Sequence, residues 1–225
     1  MIAASKGSKN ILVIDVGGTH VKVLATGHRR ERKIVSGLTM TASKMVGGVK
    51  RITEDWKYDV VSIGYPGPEL HGRPLREPHN LGGGWVEFDF VKAFGCPVKI
   101  VNDAAMQALG SYQGGRMLFL SLGAGLGSAM IVDGVMVPME LAHLPYKHGK
   151  TYEDFAGVGG LKRLGEKRWR RHVADVVELF KNALQPEYVV LGGGNVNNIK
   201  NLPAGTRRGN NRNAFVGGFR LWQID

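Results

Sequence analysis

The first stretch of this chain that could bind phosphate is residues 15–22, DVGGTHVK, which follow the apolar run 11–14. Paired glycines allow backbone amides to turn toward a ligand, and the Thr19 hydroxyl adds a further donor. Asp15 ends the apolar run, where a carboxylate can hold a hydrated magnesium ion beside phosphate groups. Taken alone, the stretch is equally well interpreted as an ordinary hairpin with an exposed Asp. The residues predicted to bind phosphate here are Asp15, Gly17, Gly18, Thr19 and Lys22.

Two further glycine-rich stretches follow apolar strands. Residues 123–129, GAGLGSA, place glycines at alternate positions, a spacing that suits close approach of a ligand to strand backbone. Residues 192–195, GGGN, follow the apolar run 188–191, where bare backbone can support a flat ring or a phosphate. A bulged hairpin and a simple chain reversal are the respective alternatives. The phosphate-binding candidates of the second stretch are Gly123, Gly125 and Gly127.

An Asn-Asp pair stands where a strand passes into a helix. Asn102 and Asp103 follow the apolar run 98–101 and open the helical pattern 103–112. An Asp at a helix start is most often an N-cap, and on its own Asp103 is best interpreted that way. A carboxylate beside a cleft can instead accept the proton of a sugar hydroxyl, so both interpretations stay open at this point.

The elements that position these residues alternate between strands and helices. Residues 11–26 and 117–137 each indicate an apolar strand, a glycine turn and an alternating strand, and Asp133-Gly134 adds a second hairpin turn. This alternation predicts an α/β fold with two related lobes. Helices are predicted over 43–56, 103–112, 152–184 and 213–222, strands over 58–65, 98–101 and 188–191, and a polar loop over 195–213.

Composition and charge narrow the class of protein. The 225 residues are 43% hydrophobic and 22% charged, as in a globular chain. Cys96 is the only cysteine, which excludes an intrachain disulfide and a cysteine-built zinc site. Residues 1–10 lack a signal-peptide core and the apolar runs are too short to span a bilayer, so we expect a cytoplasmic protein without a membrane partner. The net charge of +11 favours a polyanion: nucleic acid, an acidic membrane or a phosphate-rich substrate.

In this order, the motifs resemble the ROK family of sugar kinases and repressors, within the superfamily of hexokinases, actin and the heat-shock chaperone ATPases. DVGGTHVK is similar to the family's first phosphate motif, GAGLGSA to its second, and VLGGGN to the motif beside the nucleoside. VNDAAMQALGSY is similar to the stretch with the catalytic Asp, and YPGP at 65–68 to a proline-glycine turn. The resemblance implies a two-lobed actin-like ATPase (ribonuclease H-like) fold with a central cleft, and a homodimer.

The resemblance also implies a hexose kinase and roles for named residues. Asp103 is the implied base for the 6-hydroxyl of the sugar, and Asp15 is the implied residue that holds Mg²⁺ through water. Trp85 corresponds to an aromatic residue with a structural packing role. The implied sugar-binding residues are Asn80, Asn102, Asp103, Glu140 and His143, and the implied nucleotide-binding residues are Gly192, Gly193, Gly194 and Asn195.

One stretch departs from the family pattern and bears on the phosphoryl donor. Many members carry a cysteine-rich zinc loop after the His, whereas residues 144–155, LPYKHGKTYEDF, contain no cysteine. Zinc is therefore not expected, the sugar-binding Glu that follows that loop is not assigned, and the chain resembles the zinc-less branch with the polyphosphate glucokinases. A basic stretch of the helix predicted over 152–184 is then a candidate polyphosphate path, with a solvated helix face as the alternative. At helical spacing, Arg163, Lys167, Arg170 and Arg171 of this stretch lie near one side. The residues of this path are Lys162, Arg163, Lys167, Arg168, Arg170 and Arg171.

The sequence leaves donor and substrate open. Polyphosphate, ATP or both can be the donor, and glucose or a related hexose such as mannose the acceptor. The alternatives are an ATP-only hexokinase of different sugar specificity and a non-catalytic sugar-responsive regulator of the same family. Such regulators carry an N-terminal DNA-binding domain, and the first motif here begins at Ile11, so DNA is not expected as a partner. The predicted domains are an N-terminal lobe over 1–104, a C-terminal lobe over 105–212 and a helix over 213–225 that packs back on the first lobe.

Overall fold

The computed structural model describes residues 9–223, so most of the predicted signal-free segment 1–10 and the last two residues of the predicted helix 213–225 lie outside the described residues. The chain divides into two compact units. The first holds the residues up to Val101 together with those from Leu221 onward, and the second is Asn102–Arg220. The observed boundary therefore lies between Val101 and Asn102, whereas the sequence places it after residue 104.

The first unit is built on one five-stranded sheet. Its strands are β1 (Ile11–Val16), β2 (His20–Ala25), β3 (Arg32–Val35), β4 (Val60–Tyr65) and β7 (Val98–Asn102). The same unit contains a separate two-stranded hairpin of β5 (Glu69–Leu70) and β6 (Arg73–Pro74). Its helices are α1 (Ala42–Ile52) and α2 (Phe90–Phe94). The strand order in the sheet is β3-β2-β1-β4-β7. The predicted hairpin of β1 and β2 is confirmed by their antiparallel register.

Apolar runs explain the centre of this sheet. β1 pairs in parallel with β4, which is buried along its whole length, as expected of a strand covered on both faces. β3 continues the sheet by pairing with β2 and has no counterpart in the sequence prediction. Two of its four residues, Arg32 and Lys33, are charged, so its composition gives only a weak strand signal.

The second unit carries another five-stranded sheet. Its strands are β8 (Arg116–Leu122), β9 (Leu126–Val132), β10 (Val135–Met139), β11 (Tyr188–Gly192) and β12 (Thr206–Arg208), in the order β10-β9-β8-β11-β12. β8, β9 and β10 are antiparallel neighbours, and β11 is parallel to both β8 and β12. Both hairpins predicted between residues 117 and 137 are confirmed, and with them the α/β class.

Helices of the second unit are α3 (Asp103–Ser111), α4 (Tyr152–Ala156), α5 (Val158–Leu184) and α6 (Asn213–Arg220). α5 is broken at Gly165, whose φ of 73° and ψ of 159° are not helical. The predicted helix over 152–184 is therefore α4 followed by two helical pieces. No helix within residues 9–223 is both long enough and apolar enough to cross a membrane.

The end of the chain is shared between the units. α6 belongs to the second unit, whereas the sequence assigns 213–225 to the first lobe. It crosses α3 so closely that a Cβ on Gly110 or on Gly217 would overlap backbone atoms of the other helix. Only the residues after α6 join the first unit, where the Trp222 indole N–H donates to the buried Ser62 hydroxyl at 2.9 Å.

The segment predicted as a polar loop, 195–213, contains regular structure. A 3₁₀ helix spans Gly194–Asn198, and β12 pairs with β11. The Arg208 guanidinium donates to the carbonyl oxygens of Val196 and Ile199, which ties the 3₁₀ helix to β12. The sequence misses both elements because Gly, Asn and Arg dominate the segment.

Candidate active site

The predicted site residues fall into two sets, one in each unit. The first set lies on the hairpin of β1 and β2, where Asp15 and Lys22 stand directly opposite each other. The turn is closed by the Gly17 N–H, which donates to the His20 carbonyl oxygen at 3.0 Å. The Ser36 hydroxyl donates to the Gly17 carbonyl oxygen at 2.5 Å from outside the turn. Gly18 and Thr19 remain exposed at the tip, as phosphate binding requires.

The carboxyl group of Asp15, which lies in β1, has a raised pKa. Burial raises the pKa of this carboxyl to about 6, the facing Lys22 lowers it in part, and Glu31 raises it. At neutral pH the carboxylate is charged yet poorly solvated, so a nearby cation stabilises it more than it would a fully hydrated Asp. Such a group suits Mg²⁺, which binds through one or two carboxylates and keeps several waters.

Asn80 lies beside the first hairpin. A Cβ built on Gly18 would come within 3.3 Å of the Asn80 Cβ, so the two residues are in direct contact. The stretch after Asn80 is fixed by the Gly82 N–H, which donates to the Met40 carbonyl oxygen at 3.0 Å. The fully buried Trp85 donates through its indole to the Gly82 carbonyl oxygen at 2.7 Å. Trp85 thus has a structural role, as predicted.

The second set begins at the start of α3, where the cap is Asn102 and not Asp103. Asn102 Oδ1 accepts from the backbone amides of Ala104 at 2.9 Å and Ala105 at 3.2 Å. Asp103 is the first helical residue, and its Oδ1 accepts from the Ala104 amide at 2.8 Å. The positive end of the helix dipole stabilises a carboxylate at this position. The capping role that the residue type alone suggests for Asp103 thus belongs to its neighbour.

The second glycine loop packs against this helix start. A Cβ on Gly127 would lie 2.8 Å from the Cβ of Ala104, the residue after Asp103, so Gly127 has no room for a side chain. The Gly123 N–H donates to the Gly125 carbonyl oxygen at 3.1 Å, which closes the turn between β8 and β9. The loop and the candidate base are therefore neighbours within one unit.

Glu153, which the sequence leaves unassigned, also contacts this loop. Its Oε2 accepts from the Leu126 amide at 3.3 Å, and it fills the space that a side chain on Gly125 would need. Glu153 reaches the loop from the first turn of α4, which begins with a capping box of Thr151 and Asp154. The start of α4 agrees with the predicted helix over 152–184, and the pattern T-x-x-D at residues 151–154 is the sequence signal of its cap.

The third glycine stretch rests on the second. The Asn195 side-chain amide donates to the Gly123 carbonyl oxygen at 2.8 Å. Gly193 has φ of 81°, and a Cβ there would lie 2.5 Å from the Leu122 carbonyl oxygen. Gly192 lies against the Phe119 ring, whereas Gly194 has open space where a side chain would be. The predicted phosphate and nucleotide motifs of the second unit are thus in contact, but Gly192 and Gly193 are buried and only Gly194 of the three glycines is exposed.

Glu140 and His143 lie side by side and exposed, with Oε2 and Nε2 3.6 Å apart. His143 ends the 3₁₀ helix Leu141–His143. The buried Ser128 fixes the start of this 3₁₀ helix. The Ser128 hydroxyl donates to the Met139 carbonyl oxygen at 2.8 Å and accepts from the Leu141 amide at 3.3 Å. Both predicted sugar-binding residues of this segment are accessible to a ligand.

The basic stretch is not the single helix face that the sequence predicts, because Gly165 breaks the helix within it. Arg163 donates to the Asp154 carbonyl oxygen at 2.6 Å. Arg170 donates to the Asn198 carbonyl oxygen and to Glu166, so it supports the 3₁₀ helix that follows β11. The side chains of the remaining four residues of the stretch are exposed and make no hydrogen bond or ion pair with residues 9–223: they are Lys162, Lys167, Arg168 and Arg171.

A ready-made metal centre is not part of the described structure. Within residues 9–223, no three His, Cys, Asp or Glu side chains are grouped so that they could hold a metal ion. The expectation that the protein lacks zinc stays a prediction. The residue that fits a hydrated magnesium ion is Asp15, for the reasons of burial and charge given above.

Comparison with known proteins identifies relatives in sequence and in fold. No protein-family model matches the chain. It is 29% identical to the polyphosphate glucokinase of Mycobacterium tuberculosis over 206 residues, which cover 80% of this chain and 76% of that protein. The crystal structure of the inorganic polyphosphate/ATP-glucomannokinase from Arthrobacter sp. strain KM matches with a TM-score of 0.82 at 22% identity, over 96% of this chain and 99% of that one.

A second solved structure extends the likeness in fold. The ROK-family glucokinase from Streptomyces griseus, crystallised with glucose and AMPPNP, matches with a TM-score of 0.73 at 16% identity, over 94% of this chain and 98% of that one. The resemblance drawn from the motifs is confirmed: this chain has the actin-like ATPase fold of ROK-family sugar kinases and is similar in sequence to polyphosphate glucokinases.

Proposed function

We propose that this protein is a sugar kinase that transfers a phosphoryl group from polyphosphate, ATP or both to the 6-hydroxyl of glucose or a related hexose such as mannose. The observation that carries the proposal is the contact between Gly127 and Ala104, because it brings the second glycine loop next to the helix turn that begins with Asp103. The polyphosphate glucokinase and the glucomannokinase named above support this choice of donor and acceptor.

In this proposal, the oxygen of the sugar 6-hydroxyl attacks the terminal phosphorus of the donor, and Asp103 accepts the proton of that hydroxyl. The bond from that phosphorus to the leaving oxygen breaks, so the products are a sugar 6-phosphate and a donor shortened by one phosphate. Positioning and charge stabilisation carry most of the acceleration in phosphoryl transfer, so Asp103 acts chiefly by orienting the hydroxyl. The residues proposed to bind the other sugar hydroxyls are Asn80, Asn102, Glu140 and His143.

The donor phosphates are proposed to bind at the turns of the two glycine hairpins, where Gly18, Thr19 and Ala124 are exposed. Lys22 adds a positive charge to the first hairpin, and Asp15 would hold a hydrated Mg²⁺ there. When bound, the ion neutralises charge on the donor phosphates. The stretch Gly192–Asn195 is proposed to contact the nucleoside when ATP is the donor.

The proposal is tested by measuring sugar 6-phosphate formation with each donor and Mg²⁺, for the natural protein and for Asp103→Asn. We expect turnover to fall by about 10²- to 10⁴-fold, the range for loss of a general base. Asp133→Asn is the matched control, because Asp133 is exposed in the turn between β9 and β10 and its φ of 49° suits Asn. Full activity of Asp103→Asn would remove Asp103 from the mechanism.

Donor choice needs its own experiment. If polyphosphate binds along the exposed cations of α5, raising the salt concentration should increase the KM for polyphosphate more than the KM for glucose. The double variant Arg168→Glu with Arg171→Glu should have the same effect. Lys57→Glu with Lys92→Glu, exposed in the first unit, makes the same change of net charge. Equal effects of the two double variants would contradict the basic stretch as the donor surface.

A lack of turnover has a clear meaning as well. If neither polyphosphate nor ATP phosphorylates glucose, mannose or related hexoses, while the protein is folded, the proposed activity is wrong. Sugar binding measured by calorimetry in the same preparation would then favour a sugar-responsive protein without catalysis.

A further inference from the structure

A short β-hairpin, residues 144–152, joins two functional parts of the second unit. It leaves the 3₁₀ helix that carries His143 and leads into α4, which holds Glu153 against the glycine loop. Its main chain is closed by the Tyr146 amide, which donates to the Lys150 carbonyl oxygen at 2.8 Å, and by the Tyr152 amide, which donates to Leu144 at 3.2 Å. Ser128 holds the start of the segment 140–143, and the hairpin connects the end of that segment to α4.

Little besides one side chain holds the tip of this hairpin. Between residues 144 and 150, all residues are exposed except Tyr146, which is half-buried. The turn itself contains His148 and Gly149, which are exposed and have φ of 54° and 69°. A hairpin of this size is only marginally stable when isolated. Its position therefore depends on the contacts of Tyr146 and of the neighbouring Lys147.

Tyr146 is attached to α5 through its hydroxyl. The oxygen lies 3.2 Å from His172 Nδ1 and donates to Asp175 Oδ2 at 3.2 Å. Lys147 donates to the same Asp175 oxygen at 3.0 Å, although this pair is exposed and contributes little by itself. Both partners of the Tyr146 hydroxyl stand one helical turn apart on α5, so the hairpin is bound to a long rigid element.

The ring of Tyr146 packs at the same place. It stacks on Tyr152 with the ring centres 4.9 Å apart and meets the edge of Phe155 at 5.1 Å. Phe155 in turn lies 4.6 Å from the His172 ring. Loss of the hydroxyl alone would leave these ring contacts intact, which makes the hydrogen bonds separately testable.

We propose that Tyr146 is a positioning residue for the sugar. Its hydrogen bonds to His172 and Asp175 fix the hairpin, and the hairpin fixes Glu140 and His143 relative to Glu153. This inference rests on the proposed function for the identity of the sugar and for the roles of Glu140 and His143. It predicts that loss of the Tyr146 hydrogen bonds weakens the affinity for the sugar and leaves the affinity for the phosphoryl donor unchanged.

The first test uses two variants with the same chemical change, Tyr146→Phe and Tyr152→Phe. The rings stack on each other, but the Tyr152 hydroxyl makes no hydrogen bond with any residue that the structure describes. Hydrogen exchange without substrate should accelerate in Tyr146→Phe at the amides of Tyr146, Lys150 and Tyr152, by about three- to tenfold, the factor expected for one lost hydrogen bond. Tyr152→Phe should exchange as the natural protein does. Equal exchange in both variants would overturn the attachment.

The second test separates positioning from simple stability. In Tyr146→Phe the KM for glucose should rise by about three- to tenfold, with kcat and the donor KM nearly unchanged. Asp175→Ala should act in the same direction and serves if Tyr146→Phe does not fold. Faster exchange without a change in the glucose KM would overturn the positioning role. If the natural protein phosphorylates no hexose, the proposed function fails, while the exchange comparison still decides whether Tyr146 holds the hairpin.

Discussion

The two glycine hairpins share a pattern in sequence but are held in different ways. In the first, the turn at Gly17–Gly18 is closed by its own backbone and touched by Ser36 and Asn80, and its distinctive feature is a pair of charges, Asp15 opposite Lys22. In the second, neighbouring elements enclose two of the three glycines: Ala104 lies on Gly127, and Glu153 on Gly125, whereas Gly123 has open space. The first hairpin depends on electrostatics and the second on packing.

This difference predicts how each hairpin responds to change. A packed loop keeps its shape without a ligand and tolerates no added volume, because protein interiors are close-packed. A charged hairpin responds to pH and to ions, and in the first hairpin Gly18 has more room than Gly125 or Gly127. Substitution of glycine by alanine should therefore be more harmful at Gly125 and Gly127 than at Gly18, and substitutions of charge should be more informative in the first hairpin.

The largest effect is expected for Gly193→Ala. With φ of 81° and a Cβ that would lie 2.5 Å from the Leu122 carbonyl oxygen, this position combines backbone strain with overlap. We expect the free energy of unfolding to fall by about 2–4 kcal/mol in urea titrations. Gly194→Ala is the matched control, because Gly194 has open space and an ordinary φ. This substitution should change the free energy of unfolding by less than about 1 kcal/mol. Equal losses in both variants would contradict the packed description of this surface.

The next effect compares the hairpins directly. Gly127→Ala forces contact at 2.8 Å with the Cβ of Ala104 and should lower the free energy of unfolding by about 1–3 kcal/mol, together with a loss of turnover because Asp103 shifts. In Gly18→Ala the new Cβ would lie 3.3 Å from the Asn80 Cβ, so the free energy of unfolding should fall by less than about 1 kcal/mol. Thermal unfolding and steady-state rates of the pair provide the comparison. A larger loss for Gly18→Ala would reverse the assignment of packing and electrostatics.

Asp15→Asn should inactivate the protein and also stabilise it. Because burial raises the pKa of Asp15 to about 6, the folded state keeps a proton that the unfolded state has already lost, so this group's contribution to stability falls as pH rises from about 4 to 6. Above pH 6 the full penalty of the charged, buried carboxylate applies. Removing the charge should raise the free energy of unfolding at pH 7.5 by about 1–2 kcal/mol without Mg²⁺. The variant should show no gain at pH 4, which provides the control.

The same pKa predicts how activity depends on pH. Protonated Asp15 cannot hold a hydrated cation, so turnover should decline as pH falls through about 6. High Mg²⁺ should move the decline to lower pH, because a bound cation favours the ionised carboxyl. A pH profile unaffected by Mg²⁺ would indicate that Asp15 does not contact the ion.

Local patterns were sufficient to predict the hairpins, the α/β class and the family resemblance. Each glycine stretch follows a run of aliphatic residues, so both hairpins are encoded within short segments. The residue that caps α3 is a local choice that residue type alone does not decide. That Asn102, and not Asp103, caps α3 is decided by which side chain reaches the Ala104 and Ala105 amides, and both residue types are good caps.

The packing of α6 and the break in α5 show the same limit. α6 lies in the second unit because two glycines, Gly110 on α3 and Gly217 on α6, allow the helices to cross closely. A hydrophobic pattern identifies the buried face of a helix but not the element that covers it. A single Gly165 inside a helical pattern is ordinarily tolerated, so its non-helical φ of 73° has no clear signal in the sequence.

The smallest effect is expected within the basic stretch, where the packed second hairpin is supported from outside. Arg170 donates to the Asn198 carbonyl oxygen, and Asn195 of the same 3₁₀ helix donates to Gly123, so Arg170→Gln should lower the free energy of unfolding by about 0.5–1.5 kcal/mol. Arg171→Gln, one residue away and exposed without a partner among residues 9–223, should change it by less than about 0.5 kcal/mol. Arg170→Gln should also raise the KM for ATP, whereas Arg171→Gln should affect only polyphosphate, and only at low salt. Identical behaviour of the two variants in both measurements would mean that the basic stretch is one uniform solvated surface. In that case Ala104 and Glu153, and not Arg170, would hold the second hairpin in place.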